Sequence, residues 1–249
     1  MPAGPSRDEL REHLIRTGIA GAVATPREDN LEKYRSLAER DPYHLFGLTI
    51  AERWDFRQIL ALMSKAVGVN ADPGYTEGPD TIDPDRTIDA VEAMADRIAA
   101  ALRALRPRLL LATGHPTGLL TVHLAIARFA RAHGAVLLHP AEGWRHRTGR
   151  GHGAQVIRYL DGVAMLAERG AFVHTHEAAP MAAMLAELGA ERPDLVIADH
   201  GWAGAAGEAG LPVVGFADCN DPALFVGEAD GKIDVVVPLD DNVSPRYYG

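Results

Sequence analysis

The 249-residue chain has one cysteine, Cys219, so no internal disulfide can form. It lacks an apolar run long enough to span a bilayer, and its opening residues, Met1-Pro2-Ala3-Gly4-Pro5-Ser6-Arg7, lack the apolar centre of a secretion signal. Positive charge is scarce: 25 Lys and Arg stand against 34 Asp and Glu, and the formal net charge of −9 argues against a general nucleic-acid binder. There is no internal repeat and no low-complexity tract. Together these absences point to a cytoplasmic protein with a small-molecule partner and neither nucleic acid nor membrane to bind. The length suits one domain, or one domain with a cap.

What the chain does have is concentrated in its last third. Leu195-Val196-Ile197-Ala198 runs into Asp199-His200-Gly201, Val213-Val214-Gly215-Phe216-Ala217 into Asp218-Cys219-Asn220-Asp221, and Val235-Val236-Val237-Pro238-Leu239 into Asp240-Asp241-Asn242. Short β-branched runs separated by small helical segments read as parallel strands buried on both faces. A fourth, Arg108 to Thr113, leads into Gly114-His115-Pro116-Thr117-Gly118 and a long apolar helix over Leu119 to Ala132, followed by a strand at Ala135 to Leu138. Ligands of open α/β sheets gather beyond the carboxyl ends of such strands. The predicted fold class is therefore α/β: a Rossmann-like, mostly parallel sheet with helices on both faces. Gln155 to Thr175 adds an antiparallel meander, because Asp161-Gly162 and Arg169-Gly170 separate three short runs.

Residues 1–106 show helical pattern and almost nothing that reads as strand. Ser6 caps a segment to about Thr17, a second follows Pro26, and Thr49 caps a third whose buried face holds Trp54, Ile59, Leu62 and Met63. Asn70 to Asp83 is a breaker-rich loop, and Asp83-Pro84 opens a helix with Ile88, Val91, Met94, Ile98, Leu102 and Leu105 in register. This third is a helical layer or cap on the α/β domain of residues 107–249. It serves either the pocket or a homodimer interface.

The strand ends supply the candidate chemistry. Gly114, Thr117 and Gly118 can present donors to an oxyanion, although the turn is neither a dinucleotide fingerprint nor a phosphate loop with its lysine. His115, His200 and Asp199 are the candidate catalytic groups. Asp199, Asp218 and Asp240 or Asp241 are candidate ligands for a hard cation, Mg2+ or Mn2+, since oxygen donors favour these over zinc. Asn220 and Asn242 join as substrate contacts. Asp199 is as well suited to capping a helix as to catalysis, and Asp221, just before Pro222, reads as a helix cap. His174-Thr175-His176 alternates at a strand end, so both imidazoles face one side. Lacking a third fixed ligand, they read as a polar rim. The basic loop Trp144 to His152 is a solvated loop by default, or closes on an anion with Arg145 or Arg147 supplying charge.

The strings Ala112-Thr113-Gly114-His115-Pro116-Thr117-Gly118-Leu119-Leu120, Ala198-Asp199-His200-Gly201-Trp202-Ala203-Gly204-Ala205-Ala206-Gly207 and Gly215 to Glu228, with Gly78 to Arg86 and Val237 to Val243, resemble a family of actinobacterial proteins named simply "phosphatase". The resemblance covers most of the chain and implies phosphomonoester hydrolysis, with no assigned site residues to carry over. Glycine-rich strand ends and a late acidic loop also resemble the D-glutamate cyclase lyases in architecture, without their signatures.

The expected function is thus hydrolysis of a small phosphorylated metabolite with a divalent cation. The alternatives are a lyase or cyclase acting on a hydroxy or amino acid carboxylate, and a non-catalytic nucleotide- or metabolite-binding protein.

Overall fold

The computed structural model describes residues 4–146 and 153–248. The amino-terminal third comprises α1 (Arg7–Thr17), β1 (Gly21–Pro26), α2 (Arg27–Ala38), α3 (Phe56–Ala66), β2 (Pro79–Ile82) and α4 (Pro84–Ala101). The rest comprises β3 (Arg108–Ala112), α5 (Pro116–Ala132), β4 (Val136–Leu137), β5 (Arg145–His146), β6 (Gln155–Leu160), β7 (Val163–Glu168), β8 (Ala171–Phe172) and α6 (Ala179–Leu188). It ends with β9 (Leu195–Asp199), α7 (His200–Glu208), β10 (Val213–Ala217), α8 (Pro222–Ala229), β11 (Val235–Pro238) and a 3-10 turn at Pro245–Tyr247.

The main sheet runs β11-β10-β9-β3-β7-β6-β5, with β4 beside β3 and β8 beside β7. β11, β10, β9, β3 and β4 are parallel to their neighbours, and so is the β3–β7 pair. The Asp161-Gly162 and Arg169-Gly170 turns form as the sequence predicts. All four residues take positive φ, and the antiparallel ladders β6–β7 and β7–β8 follow from them. The fold is α/β. From β3 the chain crosses through α5 to β4 on one side, whereas α7 and α8 carry it from β9 outward to β10 and β11 on the other. Right-handed crossovers in opposite directions place α5 on one face and α7 and α8 on the other. The reversal lies between β3 and β9, where such sheets open a crevice. Leu109 to Ala112, Leu195 to Ala198 and Val213 to Ala217 are buried throughout, as strands covered on both faces must be.

Three expectations need correction. The amino-terminal third is not purely helical, because β1 and β2 form an antiparallel pair with Gly21 opposite Ile82. Each is short, proline-bounded and half exposed, and Asp80 takes an inward position of β2, so apolar alternation never shows. Thr49 caps no helix: α3 starts at Phe56, where the Asp55 carboxylate accepts from the Gln58 N–H at 2.8 Å, and Trp54 is buried ahead of it by bonding to Asp230. Leu105 lies past the end of α4 and is 97% exposed.

Asp80 explains how so small a pair of strands holds. Its carboxylate accepts from Arg27 Nη1 at 2.9 Å and Asn30 Nδ2 at 3.0 Å, both buried with it, and also from the Asn70 and Thr81 amides nearer the surface. Removing one partner of a buried ion pair leaves the other charge desolvated and unpaired, at a cost of about 3–5 kcal/mol. Arg27→Ala is expected to reduce unfolding free energy by about that amount in chemical denaturation; a loss under about 1 kcal/mol contradicts the role given to the pair.

Candidate active site

Four strand ends meet at the β3/β9 crevice. After β3, Thr113 Oγ1 accepts from the His115 N–H at 3.0 Å and shapes the turn. After β9, His200 adopts φ 47°, a left-handed conformation that costs a non-glycine residue about 1–2 kcal/mol. The strain is sustained by the Asp199 carboxylate, which is inaccessible to solvent and enclosed by three donors. Oδ1 accepts from the Gly114 N–H at 2.7 Å and from His200 Nδ1 at 2.8 Å, and Oδ2 from His123 Nε2 at 3.2 Å. Asp199, a candidate cation ligand and catalytic group in the sequence reading, accepts here from both His200 and His123, and its side chain caps no amide of α7.

The other acids converge on the same point. Asp218, Asp240 and Asp241 each bring a carboxylate oxygen within 4.8 Å of the others. Asp218 accepts from Thr25 Oγ1 at 2.7 Å and the Cys219 amide at 2.6 Å. Asp240 accepts from the amides of Ala24 at 3.2 Å and Asn242 at 2.9 Å. Asp241 Oδ2 lies 2.8 Å from His115 Nδ1 and 3.6 Å from His200 Nε2. Asp221 occupies the position before α8 expected of a cap but caps nothing with its side chain; its Oδ2 is 3.4 Å from His200 Nε2. His174 and His176 lie on irregular chain rather than at a strand end, with their Nε2 atoms 3.1 Å apart. His174 stacks on His115 at 4.4 Å and His176 on His200 at 4.6 Å. His174 can share a ligand point with His115 and His200, and His176 one with His200 and Asp221, but among the described residues no such group holds His174 and His176 together.

The predicted oxyanion turn is placed differently from expectation. The Gly114 N–H is engaged by Asp199, and the Gly118 N–H points to the His115 carbonyl at 3.2 Å. Both glycines serve close packing of backbone: a Cβ on Gly118 would stand 1.9 Å from the Asp241 carbonyl oxygen, and one on Gly114 2.4 Å from that of Thr175. Thr117 is exposed at the mouth. Asn220 Nδ2 donates to Asp29 of α2 at 2.7 Å, and Asn242 Nδ2 to Asp241 Oδ1 at 3.0 Å. Arg145 is exposed on β5, and no hydrogen bond or ion pair joins it to the cluster among the described residues; its neighbour His146 pairs with Glu177. Arg147 lies outside the described residues.

Three contributors escape sequence reasoning. Thr25 and the Ala24 amide come from β1, which has no strand signature. His123 carries a usable signal, because it shares the buried stripe of α5 with Leu119, Ala127 and Ala130, where an imidazole needs a partner.

The electrostatics follow from burial and crowding. Burial opposes the charge on His200, but Asp221, Asp199 and Asp241 outweigh it and push its pKa up to about 10. Burial likewise works against Asp199, yet the hydrogen bonds from His123 and His200 hold it far below the usual carboxylate range. Burial raises Asp221 to about 7, and burial together with the like charge of Asp241 raises Asp218 and Asp240. Burial and then His200 lower His174 to about 4 and His176 to about 2.

This is an α/β site built of buried carboxylates and imidazoles at a point of strand-order reversal. The chain matches the family model described as "Phosphatase" over residues 5–249. It is 49% identical over 253 residues to a Streptomyces coelicolor protein named Phosphatase SCO2771, an alignment covering 100% of this chain and 94% of that one. The chain belongs to the Phosphatase family. No helix among the described residues is long and apolar enough to cross a membrane.

Two outcomes are expected of the site as built. His200 binds its proton more tightly folded than unfolded, so its stabilisation is complete below the unfolded value of about 6.5 and is lost as pH rises toward the folded one. The raised Asp221 costs nothing below about 3.9 and progressively more stability as pH rises to about 7, whereas the lowered His174 and His176 destabilise at acid pH and that cost is relieved by about 6.5. Above that, His200 dominates, and chelator-treated protein should lose melting temperature between about pH 7 and 9; a flat or rising profile contradicts the assignment. Gly118→Ala should lower stability by about 1–3 kcal/mol, although alanine favours helix, because the Asp241 carbonyl must move. Unchanged stability in denaturant titration contradicts that packing.

Proposed function

We propose that the protein hydrolyses a phosphate monoester of a small metabolite with the help of a divalent cation. The observation carrying this reading is the meeting of Asp218, Asp240 and Asp241, three buried carboxylates with mutually close oxygens, beside His115 in a Phosphatase-family chain. Three acids at that spacing repel a phosphate ester, and repel one another, unless a cation lies between them. Their all-oxygen donor set suits Mg2+ or Mn2+. When bound, the cation neutralises phosphoryl charge and makes water more acidic.

The chain's own groups divide the remaining work. Thr25, Ala24, Cys219 and Asn242 fix the carboxylates through hydrogen bonds, so that their oxygens are held in place before a ligand arrives. His115 is the proton donor to the departing alkoxide, its Nδ1 2.8 Å from Asp241 Oδ2 and its ring stacked on the exposed His174. His200 is less suited to that step, because Asp199 holds its Nδ1 and its Nε2 faces inward to Asp221 and Asp241. Thr117, exposed in the same turn, meets the substrate from the solvent side.

A panel of small phosphate esters assayed with Mg2+ or Mn2+, and again after chelation, tests the proposal. Metal-dependent phosphate release is expected, with His115→Ala lowering kcat by about 10²–10⁴-fold and Asp240→Asn raising the cation concentration needed. Absence of metal-dependent release across the panel contradicts the reading.

A further inference from the structure

A second group of side chains beside the three carboxylates is not used by that reaction. His200 Nδ1 faces Asp199, which leaves Nε2 as the atom turned toward Asp221 Oδ2 at 3.4 Å and Asp241 Oδ2 at 3.6 Å. A ring nitrogen and two carboxylate oxygens converging in a pocket closed to solvent need a shared positive charge, which either a proton or a cation can supply. His176 stacks against the same ring at 4.6 Å, and its Nδ1 is buried with no hydrogen-bond partner among the described residues. His176, His200 and Asp221 can each direct a ligand atom to a common point, all within 4.8 Å of one another. Behind them Asp199, held by His123 and the Gly114 amide, stands as the carboxylate that typically orients a metal-bound histidine from its far nitrogen.

We infer that His176, His200 and Asp221 form a second cation position, selective for a first-row transition metal, which shares Asp241 as a bridging carboxylate with the Asp218–Asp240–Asp241 position. Two imidazoles and a carboxylate favour zinc, iron, cobalt or manganese over magnesium, in contrast to the all-oxygen position. Asp241 belongs to the acidic triad and also approaches His200 Nε2, so one side chain reaches both positions. Paired ions about 3.5–4 Å apart recur in enzymes of phosphate-ester chemistry, where they grip both sides of the reacting phosphorus. The inference deepens the phosphatase reading and rests on it for its catalytic meaning, but the binding itself is measured without substrate.

The test is a count of Co2+ bound to the chelator-stripped full chain by equilibrium dialysis, read alongside the visible absorption that nitrogen ligation gives to Co2+. Two ions per chain are expected. Asp221→Asn, nearly isosteric, and His176→Ala should each lose one ion and the nitrogen-dependent band, while Asp240→Asn should lose the other ion and keep the band. Melting curves of the metal-free variants identify any that fail to fold, and Asp221→Asn carries the test should His176→Ala unfold. One ion per chain, or two ions with a band untouched by Asp221→Asn, overturns the inference. Two ions with no hydrolysis of any ester would leave it standing and remove the phosphatase reading alone.

Discussion

The rest of the structure answers to one constraint: five aspartates, at 199, 218, 221, 240 and 241, are buried around one small volume of a protein that is already acidic overall. Like charges so close and so far from water repel strongly, and the fold must either protonate them or supply positive charge. It does some of each. Asp199 is kept ionised by the donors around it, whereas Asp218, Asp221 and Asp240 hold their protons more tightly than usual. Stability alone gives a folded domain no reason to maintain such a cluster, since apolar side chains of similar size would cost less. The proposed cation and phosphate-ester site would give the cluster its purpose.

The scaffold achieves this density by close backbone approach. Reversal of strand order between β3 and β9 leaves a crevice into which several strand ends direct their first loop residues. Gly118 then lets the first turn of α5 touch the Asp241 loop, and Gly114 lets the β3 turn touch Thr175, whose amide returns a bond to the Gly114 carbonyl at 2.8 Å. The amino-terminal third takes part in this arrangement. Thr25 and Ala24 hold two of the acids, Tyr34 bonds the Cys219 carbonyl from beneath, and Phe46 packs against His176 and His200.

Much of this is readable in the residues alone. Fully apolar β-branched strands ending in aspartate carry the parallel core, and the Asp-Gly and Arg-Gly pairs carry the meander, because both signals are local. Asp218, Asp240, Asp241, His115 and His200 are found together for the same reason: each directly follows such a strand or its turn. Contributions that depend on distant partners are not legible. Glycines near a strand end look the same whether they cradle an anion or admit a neighbouring backbone, and only the Asp241 and Thr175 carbonyls decide between the two. Asp221 before Pro222 has the sequence of a cap, yet His200 draws its carboxylate inward. β1 and β2 depend on the buried Arg27–Asp80 pair, which no hydropathy pattern reports.

The central claim is that the crowded carboxylates exist to hold cations. Crystals of the protein grown with Mn2+ and measured at a wavelength where manganese scatters anomalously test it most directly. The account predicts an anomalous peak bounded by Asp218, Asp240 and Asp241. A well-ordered map in which these side chains keep their positions with no peak among them, at Mn2+ concentrations that saturate other phosphate-processing enzymes, would contradict it.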